Sequence, residues 1–262
     1  MKQTVGMIGA GNMGAAILAG IYKTYKVNVC EADKKRARKI KTKYKVNITD
    51  LEKTITSSDI ILLAVKPQSF TVVLAAIKPY ITKRHIVVSI AAGITCRYIE
   101  KALGQGVKVV RTMPNLPAQI SQGITALAAG KNATRGDLKR TSDLLKSVGQ
   151  TVIVDENMID AVTAVSGSGP AYVFLFAELF IKSAKAVGLK DKDAKKLVMQ
   201  TLRGSLDLLD QSDEEASVLR EAVTSKGGTT AAALNEFKKG KLDKTFNNAL
   251  RAAKKRSKTL AK

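Results

Sequence analysis

Ser225-Lys226-Gly227-Gly228-Thr229-Thr230, followed at once by Ala231-Ala232-Ala233-Leu234, brings hydroxyl groups and glycines to the start of a helix-forming stretch. N–H groups in the first turn of a helix lack intrahelical acceptors and share the positive end of the helix dipole, so the segment is an anion-binding nest. A small carboxylate suits it. A second segment, Gly9-Ala10-Gly11-Asn12-Met13-Gly14, lies between the apolar run Thr4–Ile8 and a helix-forming run over 15–22. In that context Gly9, Gly11 and Gly14 allow a tight turn, close approach to a pyrophosphate and close helix packing, with Asn12 and Met13 opening the helix. Glu31, seventeen residues past Gly14, stands where an acidic side chain accepts hydrogen bonds from a ribose 2′-OH, which favours NAD. Lys34, Lys35 and Arg36 stand where cations clamp a 2′-phosphate, which favours NADP. The residues leave NADH and NADPH both open.

Three more segments carry polar or stiff residues where ligands bind in open α/β sheets. Ala64-Val65-Lys66-Pro67-Gln68 closes one predicted strand, and Arg111-Thr112-Met113-Pro114-Asn115-Leu116-Pro117 ends a later one. Val165-Ser166-Gly167-Ser168-Gly169-Pro170 joins the two halves of the chain, with Ser168 or Gly169 expected as a cap and Pro170 at the first helical position.

The elements that position these residues change character once. Strand-like runs at 4–8, 27–30, 60–65, 86–90, 107–111, 124–128 and 151–154 alternate with helix-like segments, which predicts a doubly wound α/β sheet. The near-continuous apolar run Ile60-Ile61-Leu62-Leu63-Ala64-Val65 suits a strand covered on both faces. Beyond Asp155 the pattern predicts helices over 170–187, 191–210, 213–223, 229–239 and 243–260, with a Ser212/Glu215 capping box and Gly188 and Gly240 as stops. We therefore expect a dinucleotide-binding domain over 1–160 and an all-helical domain over 161–262. The stretch Ala171–Ala177 is apolar all round, which a helical domain this small cannot cover, so a homodimer is expected.

Composition narrows the partners. The 262 residues are 45% hydrophobic, enough for real cores, and the apolar run 171–181 is far shorter than the ~20 residues of a membrane span, so no membrane partner is expected. The N-terminal segment is too short and glycine-rich for a signal peptide, so a cytoplasmic protein is expected. A net charge of +22 raises nucleic acid as a partner, but no Trp occurs and the aromatics sit within apolar runs, which offers bases no stacking platform. Cys30 and Cys96 have no metal-ligand spacing and only His85 to join them, so both are read as reduced and structural and no metal is expected. His85 itself is read as structural or at the surface, since nothing near it in the chain forms a triad.

Gly-Ala-Gly-Asn-Met-Gly (9–14), Ala-Val-Lys-Pro-Gln (64–68), Arg-Thr-Met-Pro-Asn (111–115), Ser-Gly-Ser-Gly-Pro-Ala-Tyr (166–172) and Val-Thr-Ser-Lys-Gly-Gly-Thr-Thr (223–230) together resemble pyrroline-5-carboxylate reductase over essentially the whole chain. The resemblance implies an N-terminal Rossmann domain, an all-helical C-terminal dimerisation domain, and dimers that build a larger ring. It implies reduction of 1-pyrroline-5-carboxylate to L-proline by NADPH or NADH. Ser225, Gly227, Gly228 and Thr229 would then hold the substrate carboxylate, with Thr230 hydrogen-bonded to the ring nitrogen. Gly9, Gly11, Asn12, Met13, Gly14, Glu31, Ala64, Val65, Lys66, Pro67 and Asn115 would hold the coenzyme. Two positions depart from the family pattern: Lys226 stands for the usual proline, Leu116 for the usual threonine. A related imine or β-hydroxyacid reductase is the competing enzyme, although Ala171–Leu179 lacks the lysine that hydroxyacid enzymes place early in that helix. A non-catalytic nucleotide- or nucleic-acid-binding protein on the same fold is the competitor from another class.

Overall fold

The structure, a computed structural model, describes residues 3–260. Its strands are β1 (Thr4–Ile8), β2 (Lys26–Cys30), β3 (Asn47–Ile48), β4 (Ile60–Leu63), β5 (Ile86–Ser89), β6 (Lys108–Met113), β7 (Gly123–Ala129) and β8 (Gly149–Ile153). They form one sheet in the order β3-β2-β1-β4-β5-β6-β7-β8, parallel throughout except where β6 meets β7. Every residue of β4 and β5 is buried, as double coverage by helices requires.

The helices that cover the sheet are α1 (Asn12–Ile21), α2 (Lys34–Tyr44), α3 (Leu51–Thr56), α4 (Phe70–Ile77), α5 (Cys96–Leu103) and α6 (Arg135–Leu145). Their starts follow from short polar side chains. Asp33 accepts from the N–H groups of Lys35 and Arg36, Asp50 from Lys53 and Thr95 from Tyr98, and Thr134 with Asp137 completes a capping box. Two apolar clusters lie on the two faces, one around Met7, Ile17, Leu62 and Leu127, the other around Ile61, Leu63, Phe70 and Ile99.

After β8 the chain is helical: α7 (Ile159–Val162), a π-helical turn over Thr163–Gly167, then α8 (Gly169–Ala186), α9 (Asp191–Gln211), α10 (Ala216–Ala222), α11 (Thr229–Lys239) and α12 (Leu242–Leu260). The π turn lies where a capped start was expected. The Ser168 N–H reaches back to the Thr163 carbonyl at 2.8 Å, and Thr163 and Ser166 turn their hydroxyls onto carbonyls four residues earlier, so the π turn leads straight into α8, whose first residue is Gly169 and not Pro170. The expected Ser212/Glu215 box does not form either. Ser212 accepts from the Glu214 N–H in a local turn, and Glu215 itself precedes α10 in extended conformation.

Two compact units result. One contains the chain up to Ser168 together with the segment from Ala253, and the other is Gly169–Ala252. The expected boundary at 160/161 marks where the strand pattern stops, whereas α7 and the π turn still pack with the sheet through Ile159, which is buried with Ala126 and Ala128. The segment from Ala253 joins them through Ser257, whose hydroxyl donates to Asp160 at 2.6 Å. In the second unit α8 and α9 pack through Ala184, Ala194 and Val198, with Ile181 and Leu202 beside them.

The segments from Glu156 to Ala186 run as one helical stretch of 31 residues, long and apolar enough to cross a membrane by length and composition alone. The apolar run 171–181 understates it, because the π turn continues a helix where a break was expected. Phe174 and Phe176 on α8 are 59% and 49% exposed within this chain.

Candidate active site

The turn after β1 has the geometry its glycines predict. Gly9 sits at φ +83°, and a Cβ there would lie 2.8 Å from Val65 Cγ1 and 2.9 Å from the Ala64 carbonyl. At Gly14 it would stand 3.0 Å from both Ala64 Cβ and the Gly9 carbonyl oxygen. Both glycines therefore let the turn and α1 pack against the end of β4. Gly11 differs, since a Cβ there would meet nothing within 4 Å: its open face is the one a diphosphate can approach. Gly11 caps α1 without any side-chain hydrogen bond, which leaves first-turn N–H groups for an anion. Asn12, the first helical residue, is exposed, and Met13 is half-buried.

Ala64 and Val65 are thus brought directly against the glycine turn, with the Ala64 N–H extending the ladder to the Ile8 carbonyl at 2.9 Å. Lys66 precedes a 3-10 turn that begins at Pro67, and its side chain is exposed. Asn115 is placed differently. It is buried, and its side-chain oxygen accepts the Ile124 N–H at 2.9 Å, so it ties the connection from β6 to β7. Arg111 is buried as well and donates to Glu156 at 3.1 Å; the same carboxylate oxygen accepts the Cys96 N–H at 2.7 Å. Burial, with Glu156 nearby, pushes the Cys96 thiol up to about 12, and burial raises Cys30 too, so neither is a ready thiolate.

Glu31 is turned inward. Its side chain is 5% exposed, and its carboxylate accepts the Ala10 N–H at 2.7 Å and the Asp33 N–H at 2.9 Å while pairing with Arg36 at 3.3 Å. It braces the glycine turn against the end of β2. Arg36 is 46% exposed beside it, and Lys34 and Lys35 are exposed.

A cavity of about 400 Å³ opens at the carboxyl edge of the sheet, lined among others by Pro67, Gln68, Ala92, Gly93, Arg256 and Ser257. The sequence motifs singled out neither Ala92 nor Gly93. The signal was present, because Ser89-Ile90-Ala91-Ala92-Gly93 leaves a strand at the same edge as the other motifs. No local signal marks Arg256, which enters only because the segment from Ala253 packs with the first unit.

In the second unit the nest forms as a helix start. Gly227 sits at φ +73°, Gly228 caps α11 without a side-chain hydrogen bond, and a Cβ on Gly228 would run into the Ser225 hydroxyl. Ser225, Lys226, Gly227 and Thr229 are exposed and Thr230 is half-buried. Thr230 is the second helical residue, so its hydroxyl is not the cap of α11.

A glycine turn opening α1 beside β4, with a cavity at the carboxyl edge of the same sheet, defines a Rossmann-type dinucleotide-binding protein. Two family descriptions match the chain: "NADP oxidoreductase coenzyme F420-dependent" over residues 4–93 and "Pyrroline-5-carboxylate reductase dimerisation" over 156–260. The chain is 36% identical to a pyrroline-5-carboxylate reductase of Methanosarcina acetivorans, covering 100% of this chain and 99% of that protein, and 35% identical to pyrroline-5-carboxylate reductase 2 of Bacillus subtilis, covering 97% and 93%. Among solved structures, a pyrroline-5-carboxylate reductase from Coxiella burnetii superposes with a TM-score of 0.92 at 33% identity, covering 100% of this chain and 99% of that one. The Plasmodium falciparum pyrroline carboxylate reductase with NADP bound gives 0.88 at 32% identity, covering 100% and 98%. This chain belongs to the pyrroline-5-carboxylate reductase family.

Proposed function

We propose that the protein reduces 1-pyrroline-5-carboxylate to L-proline, the hydride passing from the nicotinamide of NAD(P)H to the imine carbon and a proton ending on the ring nitrogen. The observation that carries this reading is the nest at α11, where Gly228 leaves first-turn N–H groups uncapped within a chain that matches these reductases end to end. In this reading Ser225, Gly227, Gly228 and Thr229 hold the carboxylate. Thr230 hydrogen-bonds the ring nitrogen. An iminium already protonated in water needs little acid catalysis, so orientation against the nicotinamide supplies much of the rate. Gly9, Gly11, Asn12, Met13 and Gly14 hold the diphosphate, Ala64, Val65, Lys66 and Pro67 flank it, and the cavity beside Gly93 takes the nicotinamide. Asn115 acts from behind, fixing the loop after β6.

NADPH is the preferred coenzyme. Glu31 is occupied by Ala10, Asp33 and Arg36, while exposed Lys34, Lys35 and Arg36 offer cations to a 2′-phosphate. The Plasmodium falciparum relative, solved with NADP bound, supports the same preference. The working unit is a homodimer in which a second copy covers the bare face of α8, and dimers build a larger ring in the cytoplasm. The nest of one copy serves the coenzyme of the other.

Purified protein given 1-pyrroline-5-carboxylate should oxidise NADPH faster than NADH at equal concentration and accumulate proline. No oxidation of either coenzyme, where a known reductase turns over, removes the proposal.

A further inference from the structure

The cavity at the carboxyl edge takes its walls from distant parts of the chain. Ala92 and Gly93, on the connection from β5 to α5, line one side, and Thr163 and Ser168, at the ends of the π turn, contribute to another. The inner end of the β5–α5 connection is held within the sheet: the Ile90 N–H donates to the Leu63 carbonyl at 3.3 Å, and the Thr112 hydroxyl of β6 donates to the Ser89 carbonyl at 2.9 Å. Its outer end meets Glu156. There Cys96, the first residue of α5, has an N–H without an intrahelical acceptor, and it donates to the Glu156 carboxylate at 2.7 Å. Glu156 also opens the helical segment that runs through α7 into the π turn. One carboxylate therefore pins both walls.

Arg111 of β6 fixes that carboxylate in turn. It donates to the same Oε1 at 3.1 Å, and its side chain is 5% exposed against 30% for Glu156. Its Nε is buried and has no hydrogen-bond partner among the described residues. A buried ion pair is a poor source of net stability, because desolvation offsets the attraction, so geometry accounts better for an arginine in the middle of the sheet. Two residues further on, β6 touches the π turn directly: a Cβ on Gly167 would lie 2.5 Å from Met113 Cε.

We infer that Arg111 and Glu156 are positioning residues for the nicotinamide, the pair setting the separation of the two cavity walls and with it the orientation of the ring. Neither residue touches the reacting atoms; both act through the β5–α5 connection and the π turn. The inference rests on the reading above that this cavity takes the nicotinamide. The glycine turn and α2, which serve the other half of the coenzyme, are braced separately by Glu31. Loosening the pair therefore disturbs one half of the coenzyme and spares the other.

Three full-length variants test it. Arg111→Met removes the cation, Glu156→Gln keeps an acceptor for the Cys96 N–H while removing the charge, and Arg111→Lys is the conservative change. Binding of NADPH is compared with binding of 2′-phospho-ADP-ribose, which lacks the nicotinamide, and hydride transfer is followed in a single turnover per coenzyme-bound site. In Arg111→Met and Glu156→Gln the Kd for NADPH should rise about threefold or more with that for the fragment unchanged, and the single-turnover rate should fall about tenfold. Arg111→Lys should stand nearer the parent. A role in stability alone lowers the number of binding sites and leaves both Kd values and the rate per site as they were. An unchanged Kd for NADPH, or both ligands weakening together, overturns the inference; should Arg111→Met not fold, Glu156→Gln decides it. A parent that binds NADPH but forms no proline removes the proposed reaction, and the two Kd values still decide the role of the pair.

Discussion

Thr230 occupies the second position of α11, two residues past a glycine cap, where its hydroxyl is free of capping duty. Thr230→Ala should lower kcat/KM by about tenfold to a hundredfold, the worth of one hydrogen bond to a charged group, with the Kd for NADPH unchanged. An unaltered kcat/KM removes its assigned role. Arg36 is tested differently, because its cation pairs with Glu31 at 3.3 Å and with Asp33 at 3.8 Å while its side chain stays 46% exposed. Arg36→Ala should raise KM for NADPH about tenfold and leave KM for NADH nearly as it was, a split that loss of fold would not produce. His85, a residue without a catalytic partner, is buried and accepts the Thr82 N–H at Nδ1 over 2.9 Å. Burial pushes its pKa below the ordinary 6.5. The unfolded chain therefore takes up this proton first, and stability fully present above 6.5 is lost progressively as the pH falls from 6.5 through the lower folded-state value. Urea unfolding at about pH 7.5 and about pH 5.5 should show that loss, and His85→Asn should make it smaller.

At the scale of elements, the strands were legible because double coverage forces unbroken apolar runs, and β1 and β4 occur where those runs lie. The two-residue β3 was not, since Asn47 and Ile48 are too few to set a pattern. Helix starts marked by Asp33, Asp50 and Thr134 follow local side-chain chemistry, but Ser212 had two local acceptor geometries available and took the turn. The helical stretch from Glu156 through the π turn was hidden because the glycines and Pro170 read locally as a break. Its attachment to the sheet is also non-local, made in part by Ser257 reaching Asp160 across 97 positions of chain. Ser257→Ala should cost about 1 kcal/mol and lower Tm by about 2–4 °C in a thermal melt, with Kd for the coenzyme changed little.

For the whole molecule the decisive quantity is the apolar surface one copy leaves in water. Val173, Phe174, Leu175, Phe176 and Leu179 are each about half exposed or more, and burying such side chains is worth about 1.5–3 kcal/mol apiece. A single chain has no reason to bear that cost along one helix; a second copy of the same helical unit removes it. F174E/F176E should therefore yield a monomer by sedimentation, and on the proposal that the nest of one copy serves the coenzyme of the other, proline formation should fall with dimer content while coenzyme still binds. A fully active monomer contradicts the shared site.

The sequence by itself determined the local geometry: which glycines make the tight turn before α1, that a glycine-capped turn opens a late helix, and that strands give way to helices after Asp155. These are local properties of backbone freedom, unsatisfied N–H groups and hydrophobic period. Only the tertiary structure decided what the groups do once crowded together. Glu31 is consumed by the Ala10 and Asp33 amides, Asn115 by Ile124 and Arg111 by Glu156. Arg256 reaches a cavity at the sheet edge because the end of the chain folds back onto the first unit. A carboxylate or amide has a fixed capacity for hydrogen bonds, and which partner fills it is settled by proximity in space, which spacing along the chain does not encode.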